Sequence, residues 1–153
     1  MRRLIVFAGL GLTAWGLGAC HAPAAHGPDA FAVEVALNPA AAAKLSALHE
    51  KVAVAAYYSG LPAPGVQPGQ DGQVDLGSEK MEFAPPQTQV GFSGAVIGDS
   101  DLKSIAGPPR VLINVFSARH VAPDNLLDCG TFEDTIATAQ AHTPHIACDL
   151  LKP

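Results

Sequence analysis

The run Arg110-Val111-Leu112-Ile113-Asn114-Val115-Phe116-Ser117-Ala118-Arg119 decides how this chain is read. Val111, Ile113 and Val115 fall on one face of an extended segment, and Leu112, Asn114 and Phe116 on the other. β-Branched and aromatic residues fill both faces, which predicts an interior strand partly covered on each side. Asn114 stands between apolar neighbours and is expected to take its hydrogen bonds from a nearby loop.

The same period of two recurs on either side. Phe31 to Leu37 places its large apolar residues at odd positions. Lys51 to Tyr58 sets Val52, Val54, Ala56 and Tyr58 against Lys51, Ala53, Ala55 and Tyr57, so the two adjacent tyrosines point opposite ways and one lies nearer the surface. Gln73 to Leu76 and Lys80 to Phe83 read as two strands or one bent strand, Gln89 to Ile97 as another, and His145 to Leu150 as the last. Between the first two strands, Asn38 and Pro39 form a capping pair ahead of the helix formers Ala40 to Leu48, with Ala41, Leu45 and Leu48 on one face. Asp99-Ser100-Asp101 opens a short helix or turn that Pro108-Pro109 ends. Six or seven short strands with one or two short helices predict a mainly β domain. Two-faced strands favour a small two-sheet β-sandwich, immunoglobulin-like or transthyretin-like in general architecture. An α/β domain is disfavoured because the later connections lack amphipathic helices of roughly 10–15 residues.

Composition agrees with a packed domain. Of 153 residues 48% are hydrophobic and 15% charged, too apolar for a disordered chain. Nine Lys+Arg against 14 Asp+Glu give a formal charge of -5, which argues against nucleic acid as a partner.

The N-terminus carries an address. Arg2 and Arg3 precede the apolar run Leu4 to Leu17, broken only by Thr13 and too short to span a bilayer, and small residues follow. Leu17-Gly18-Ala19-Cys20 at the end of that run resembles the lipobox of bacterial lipoproteins. The resemblance implies cleavage of a signal peptide, residues 1–19, diacylglycerol (palmitate-type chains) on the Cys20 sulfur, and acylation of the new amino group. Several acyl chains suffice for stable anchoring where one would be marginal. Position 21 is His rather than Asp, so the usual inner-membrane retention signal of that class is absent, which favours the outer membrane facing the periplasm. The resemblance covers only these twenty residues, and the family of the folded part is not recognised. Loss of Arg2 and Arg3 takes Lys+Arg from 9 to 7 against 14 Asp+Glu, so the mature formal charge is -7. Such a surface is repelled by anionic headgroups, and the acyl chains must do the anchoring. Residues 20–30 then read as a Pro/Gly/Ala tether, and 31–153 as one β-rich domain.

With Cys20 assigned to lipid, Cys129 and Cys148 remain as an even pair in an oxidising compartment. A disulfide closing that loop is worth roughly 3 kcal/mol. Two buried thiols, or a thiol nucleophile beside His120, His142 or His145, are the alternatives.

The stretch from Ser59 to Gly72 breaks regular structure repeatedly and is long for so small a domain. Tyr58, Leu61 and Val66 mark it as a candidate binding loop, a connection of the kind that often carries function. It has no phosphate-cradling word. A second candidate is the polar group His120, Asp124, His142 and His145, with Arg119, Asp128 and Asp149 nearby in sequence, as a small hydrolase or metal site. No recognised catalytic or metal-ligand spacing supports it, and His21 and His26 in the tether are weak ligands for want of a framework. No catalytic residue, metal or cofactor is therefore expected. The resulting expectation is a lipid-anchored binding or assembly module of the cell envelope, with a protein or glycan partner.

Overall fold

The computed structural model describes residues 27–152, which build two four-stranded sheets with three short helices between and beside them. In chain order the elements are β1 (Phe31–Leu37), α1 (Pro39–Leu48), β2 (Val52–Pro62), β3 (Val74–Phe83), β4 (Gln89–Phe92), α2 (Asp99–Leu102), β5 (Ile105–Ser117), β6 (Leu127–Cys129), β7 (Thr131–Thr135), α3 (Ile136–Ala141) and β8 (His145–Leu150). Sheet A has the order β4-β1-β8-β6 and sheet B the order β3-β2-β5-β7. Sheet B is antiparallel throughout, whereas sheet A contains one parallel pair, β1 with β8.

The alternation in the sequence sets which face is buried. Val33 and Val35 of β1, Val52, Val54, Ala56 and Tyr58 of β2, Val111, Ile113 and Val115 of β5, and Ile146 and Cys148 of β8 form one core. Two helices carry the chain between the sheets and fill the core as they cross. In α1 the Asn38 side chain accepts from Ala41 N at 2.7 Å, Pro39 occupies the first turn, and Ala41 and Leu45 are fully buried. In α3 the Thr135 hydroxyl accepts from Thr138 N, and Ile136 and Ala139 are buried.

Three boundaries depart from the expected ones, each for an identifiable reason. β2 runs on through Ser59–Pro62, because Gly60 packs directly beneath Ile105 and the partner strand β5 starts there; a Cβ at Gly60 would lie 2.6 Å from Ile105 Cγ2. Pro108 and Pro109 therefore lie inside β5, beside Gly107 at φ 89°, where the register shifts, rather than ending a helix. β4 stops at Phe92 instead of reaching Ile97, since Gly94 turns at φ 66° against Asp29. Of the two readings offered for residues 73–83, the single bent strand holds: β3 is continuous and bends at Gly77, φ 109°. α3, β6 and β7 have no counterpart in the sequence reading. Residues 27–30, expected as the end of the tether, lie against the domain, where Gln140 Nε2 donates to Pro28 O at 2.7 Å.

A polar link crosses the sandwich beside the core. Glu79, on the inward face of β3, accepts from Tyr58 Oη at 2.5 Å, from Ser93 Oγ at 2.7 Å and from Gly94 N at 2.8 Å. Burial pushes the Tyr58 hydroxyl well above its ordinary range, and the Glu79 carboxylate adds to that. Burial alone would raise the Glu79 carboxyl, but the Tyr58, Ser93 and Gly94 donors together hold it below the usual carboxylate range. Tyr58→Phe should cost about 1–2 kcal/mol in urea unfolding at neutral pH, since it removes a charge-assisted bond from a carboxylate that stays partly buried. An unchanged midpoint would contradict the assignment.

Candidate binding face

The outward face of sheet B is organised in rows fixed by strand register. Glu82, Ala53 and Phe116 form the first row, and Lys80, Ala55, Asn114 and Thr131 the second. Ser78, Tyr57, Leu112 and Glu133 form the third, and Asp75, Ser59, Arg110 and Thr135 the fourth. Ala53 and Ala55 are almost wholly covered although they face outward, because longer residues flank them in the same rows. Tyr57 and Leu112, directly opposite one another, remain 47% and 38% exposed. Asn114, also exposed, needs no buried partner.

Over the third and fourth rows lies a groove of about 470 Å³. Tyr57, Leu112, Ser59 and Arg110 form its floor, Glu133 one wall, and Asp71, Gln73 and Asp75 the other. The second wall joins the end of the long connection between β2 and β3, Asp71 and Gln73, to Asp75 at the start of β3. Ser59 Oγ donates to Gln73 Oε1 at 2.6 Å, Asp71 Oδ1 accepts from Gln73 N at 3.0 Å, and Asp75 Oδ1 accepts from Gly77 N at 2.8 Å. Arg110 reaches Glu133 at 3.3 Å.

The opposite end of the face is capped by the connection that follows β5. Glu50, 1% exposed, accepts from the backbone N–H groups of Lys51, His120, Val121 and Ala122 at 2.7–3.2 Å. Burial raises its carboxyl, but these donors outweigh that and bring it down from 4.5 to about 2. Asn125 Oδ1 accepts from Ser117 N, and Ser117 Oγ accepts from Leu126 N, holding the same connection from its other side. Arg119, at φ 60°, lies over the Phe116 ring at 5.7 Å, and His120 Nε2 meets Glu82 Oε2 at 2.7 Å. The His120 and Lys80 hydrogen bonds hold the Glu82 carboxyl below its ordinary range.

Against this geometry the expected site residues separate. Cys20, His21 and His26 lie outside the described residues. Cys129 and Cys148 form a disulfide between directly paired positions of β6 and β8. Tyr58 is not a loop residue: it is 1% exposed in the core of β2, and its neighbour Tyr57 is the tyrosine that faces outward. Leu61 is 60% exposed but belongs to β2, and Val66 lies half-buried in the connection. The four polar residues of the second candidate do not assemble. His120 pairs with Glu82 on sheet B, while His145 lies 3.5 Å from Glu34 on sheet A; Asp124 and His142 are exposed. Asp128 and Asp149 face each other across β6 and β8, and Asp149 accepts from Asn38 Nδ2. Among the described residues no group of three or more His, Cys, Asp or Glu is placed to hold a metal ion, and no helix is long and apolar enough to cross a membrane.

The sequence reading missed Tyr57, Arg110 and Glu133. Only the parity of β2 signalled Tyr57, which falls on the face opposite Val52, Val54 and Ala56. Arg110 and Glu133 come together only through the pairing of β5 with β7. No family model, curated protein or solved structure matches the chain.

Proposed function

We propose that this chain is a lipid-anchored binding module of the bacterial cell envelope, held by acyl chains on Cys20 and engaging an envelope partner through the outward face of sheet B. The groove floored by Tyr57 and Leu112 carries the reading: an exposed aromatic and aliphatic pair ringed by convergent polar groups is the arrangement expected of a recognition site. Its loop wall is the connection singled out as a binding edge. The export signal and the Leu17-Gly18-Ala19-Cys20 word support the address, outer membrane facing the periplasm, and the Cys129–Cys148 disulfide fits an oxidising compartment. A sandwich of immunoglobulin-like or transthyretin-like general architecture belongs to this reading, since it leaves sheet faces and loops for contact.

Metabolic labelling with an alkyne-bearing palmitate analogue tests the address. Expected are label on the wild-type chain and its recovery with membranes, and no label on Cys20→Ser, which also keeps its uncleaved signal segment and runs larger on a gel. A wild-type chain without label, or a Cys20→Ser chain that is labelled or cleaved like the wild type, would overturn it.

A further inference from the structure

We propose that the groove on sheet B receives a basic peptide segment of the partner, with an arginine or lysine side chain lying on Tyr57 and its cationic head against Asp71 and Asp75. The inference rests on the binding reading above and names the chemistry of its partner.

Charge complementarity selects this occupant. The groove presents the carboxylates Asp71, Asp75 and Glu133 against one guanidinium, Arg110. Arg110 is already engaged by Glu133, so the opposite wall is left with two carboxylates, Asp71 of the connection and Asp75 of β3, and no salt-bridge partner for either among the described residues. Each of these uses Oδ1 to hold a turn, on Gln73 N and Gly77 N, which fixes its direction; Oδ2 has no partner among the described residues. A pair of pre-oriented acceptor oxygens beside an exposed phenol ring suits a cation that stacks and donates at once. Guanidinium does both better than ammonium, because it is planar and carries several donors. The aliphatic stem of the same side chain would cover Leu112, and the half-open groove admits an extended chain rather than enclosing a small molecule. The mature formal charge of -7 draws basic partners toward the domain. An anionic partner would meet two uncompensated carboxylates. A neutral sugar would stack on Tyr57 but gain nothing from the charge.

The test uses the full lipidated protein in a neutral detergent and fluorescence anisotropy of a labelled peptide, acetyl-Gly-Arg-Gly-Arg-Gly-amide. The same peptide with glutamine for arginine and an N-acetylglucosamine trimer serve as comparisons. Expected is binding at least about tenfold tighter for the arginine peptide, weakened severalfold between about 50 and 300 mM salt. Tyr57→Ala should weaken it about tenfold. The pair Asp71→Asn and Asp75→Asn, which keeps the turn-holding oxygens, should abolish the preference over the glutamine peptide and most of the salt dependence. Equal binding of the two peptides, or binding indifferent to Tyr57→Ala, would overturn the proposal. So would Tyr57-dependent binding of the sugar trimer without the arginine peptide. Tyr57 lies on an exposed face, so its variant stays informative if the aspartate pair fails to fold. Loss of lipid labelling at Cys20 would strike the envelope reading, whereas failure here with labelling intact strikes only the partner's chemistry.

Discussion

Glu50→Ala should lower the stability of the domain by about 3–4 kcal/mol at pH 7, a large part of what a domain of this size has to lose. Four backbone donors, on Lys51, His120, Val121 and Ala122, converge on this one buried carboxylate and would lose their acceptor together. Asn125 and Ser117 hold the connection at its other end, which limits how far it can shift to find other acceptors. Glu50→Gln keeps the shape and one acceptor oxygen but turns an amide N–H toward the donors, so it should cost about 2 kcal/mol. The same group sets the acid limit. Its carboxyl is at about 2 in the folded protein against an ordinary 4.5, so the unfolded chain binds a proton first as pH falls. Stability from Glu50 is therefore complete above about pH 5 and is lost between there and about pH 2, amounting to roughly 2–3 kcal/mol. The lowered Glu79 carboxyl contributes in the same direction. Urea unfolding of the wild type and Glu50→Gln across this range checks the account: the variant should be less stable at neutral pH and lose much of the acid-side slope. Parallel curves would refute it.

Removing the disulfide, by Cys129→Ser or by reduction, should cost roughly 3 kcal/mol, with a drop in Tm of about 10 °C. The bridge closes a separation of 19 residues that contains β7 and α3, and it ties the three-residue edge strand β6 to β8. So short a strand has few ladder bonds of its own, and β8 is the strand that joins it to β1. Cys148→Ser should be the worse of the two single changes, since Cys148 is 2% exposed within the core, where burying a hydroxyl costs more, while Cys129 is only partly buried. Thermal unfolding of both variants beside the reduced wild type tests this. Equal stability of oxidised and reduced protein would contradict it.

Much of the fold is legible in the sequence, for identifiable reasons. Val111, Ile113 and Val115, like Val52, Val54 and Ala56, announce a buried face by parity alone, and Asn38-Pro39 announces α1 by cap chemistry. α3 stays hidden because its six residues are too few for a 3.6-residue period to show, and β6 because three residues show no alternation. The boundaries at Gly60 and Gly94 depend on what packs against them, Ile105 and Asp29, which lie far away in the chain. The candidate face is legible only in part. The loop after β2 was visible from its breakers, and parity placed Tyr57 and Tyr58 on opposite faces. Parity also put Tyr58 with the valines, but the weakly polar opposite face left open which side is covered; the contact of Tyr58 with Glu79, 21 positions away, settles it. Arg110 and Glu133 meet across a strand pairing that no local pattern encodes.

Site-specific photo-crosslinking in intact cells tests the central claim most directly. A photoreactive amino acid is placed at Tyr57, on the outward face of sheet B, and in a parallel strain at Glu34, exposed on sheet A. The account predicts a discrete crosslinked envelope species from position 57 alone, lost when Cys20→Ser is added. Equal background from both positions, or a position-57 product that survives Cys20→Ser unchanged, would contradict a tethered module that binds through this face.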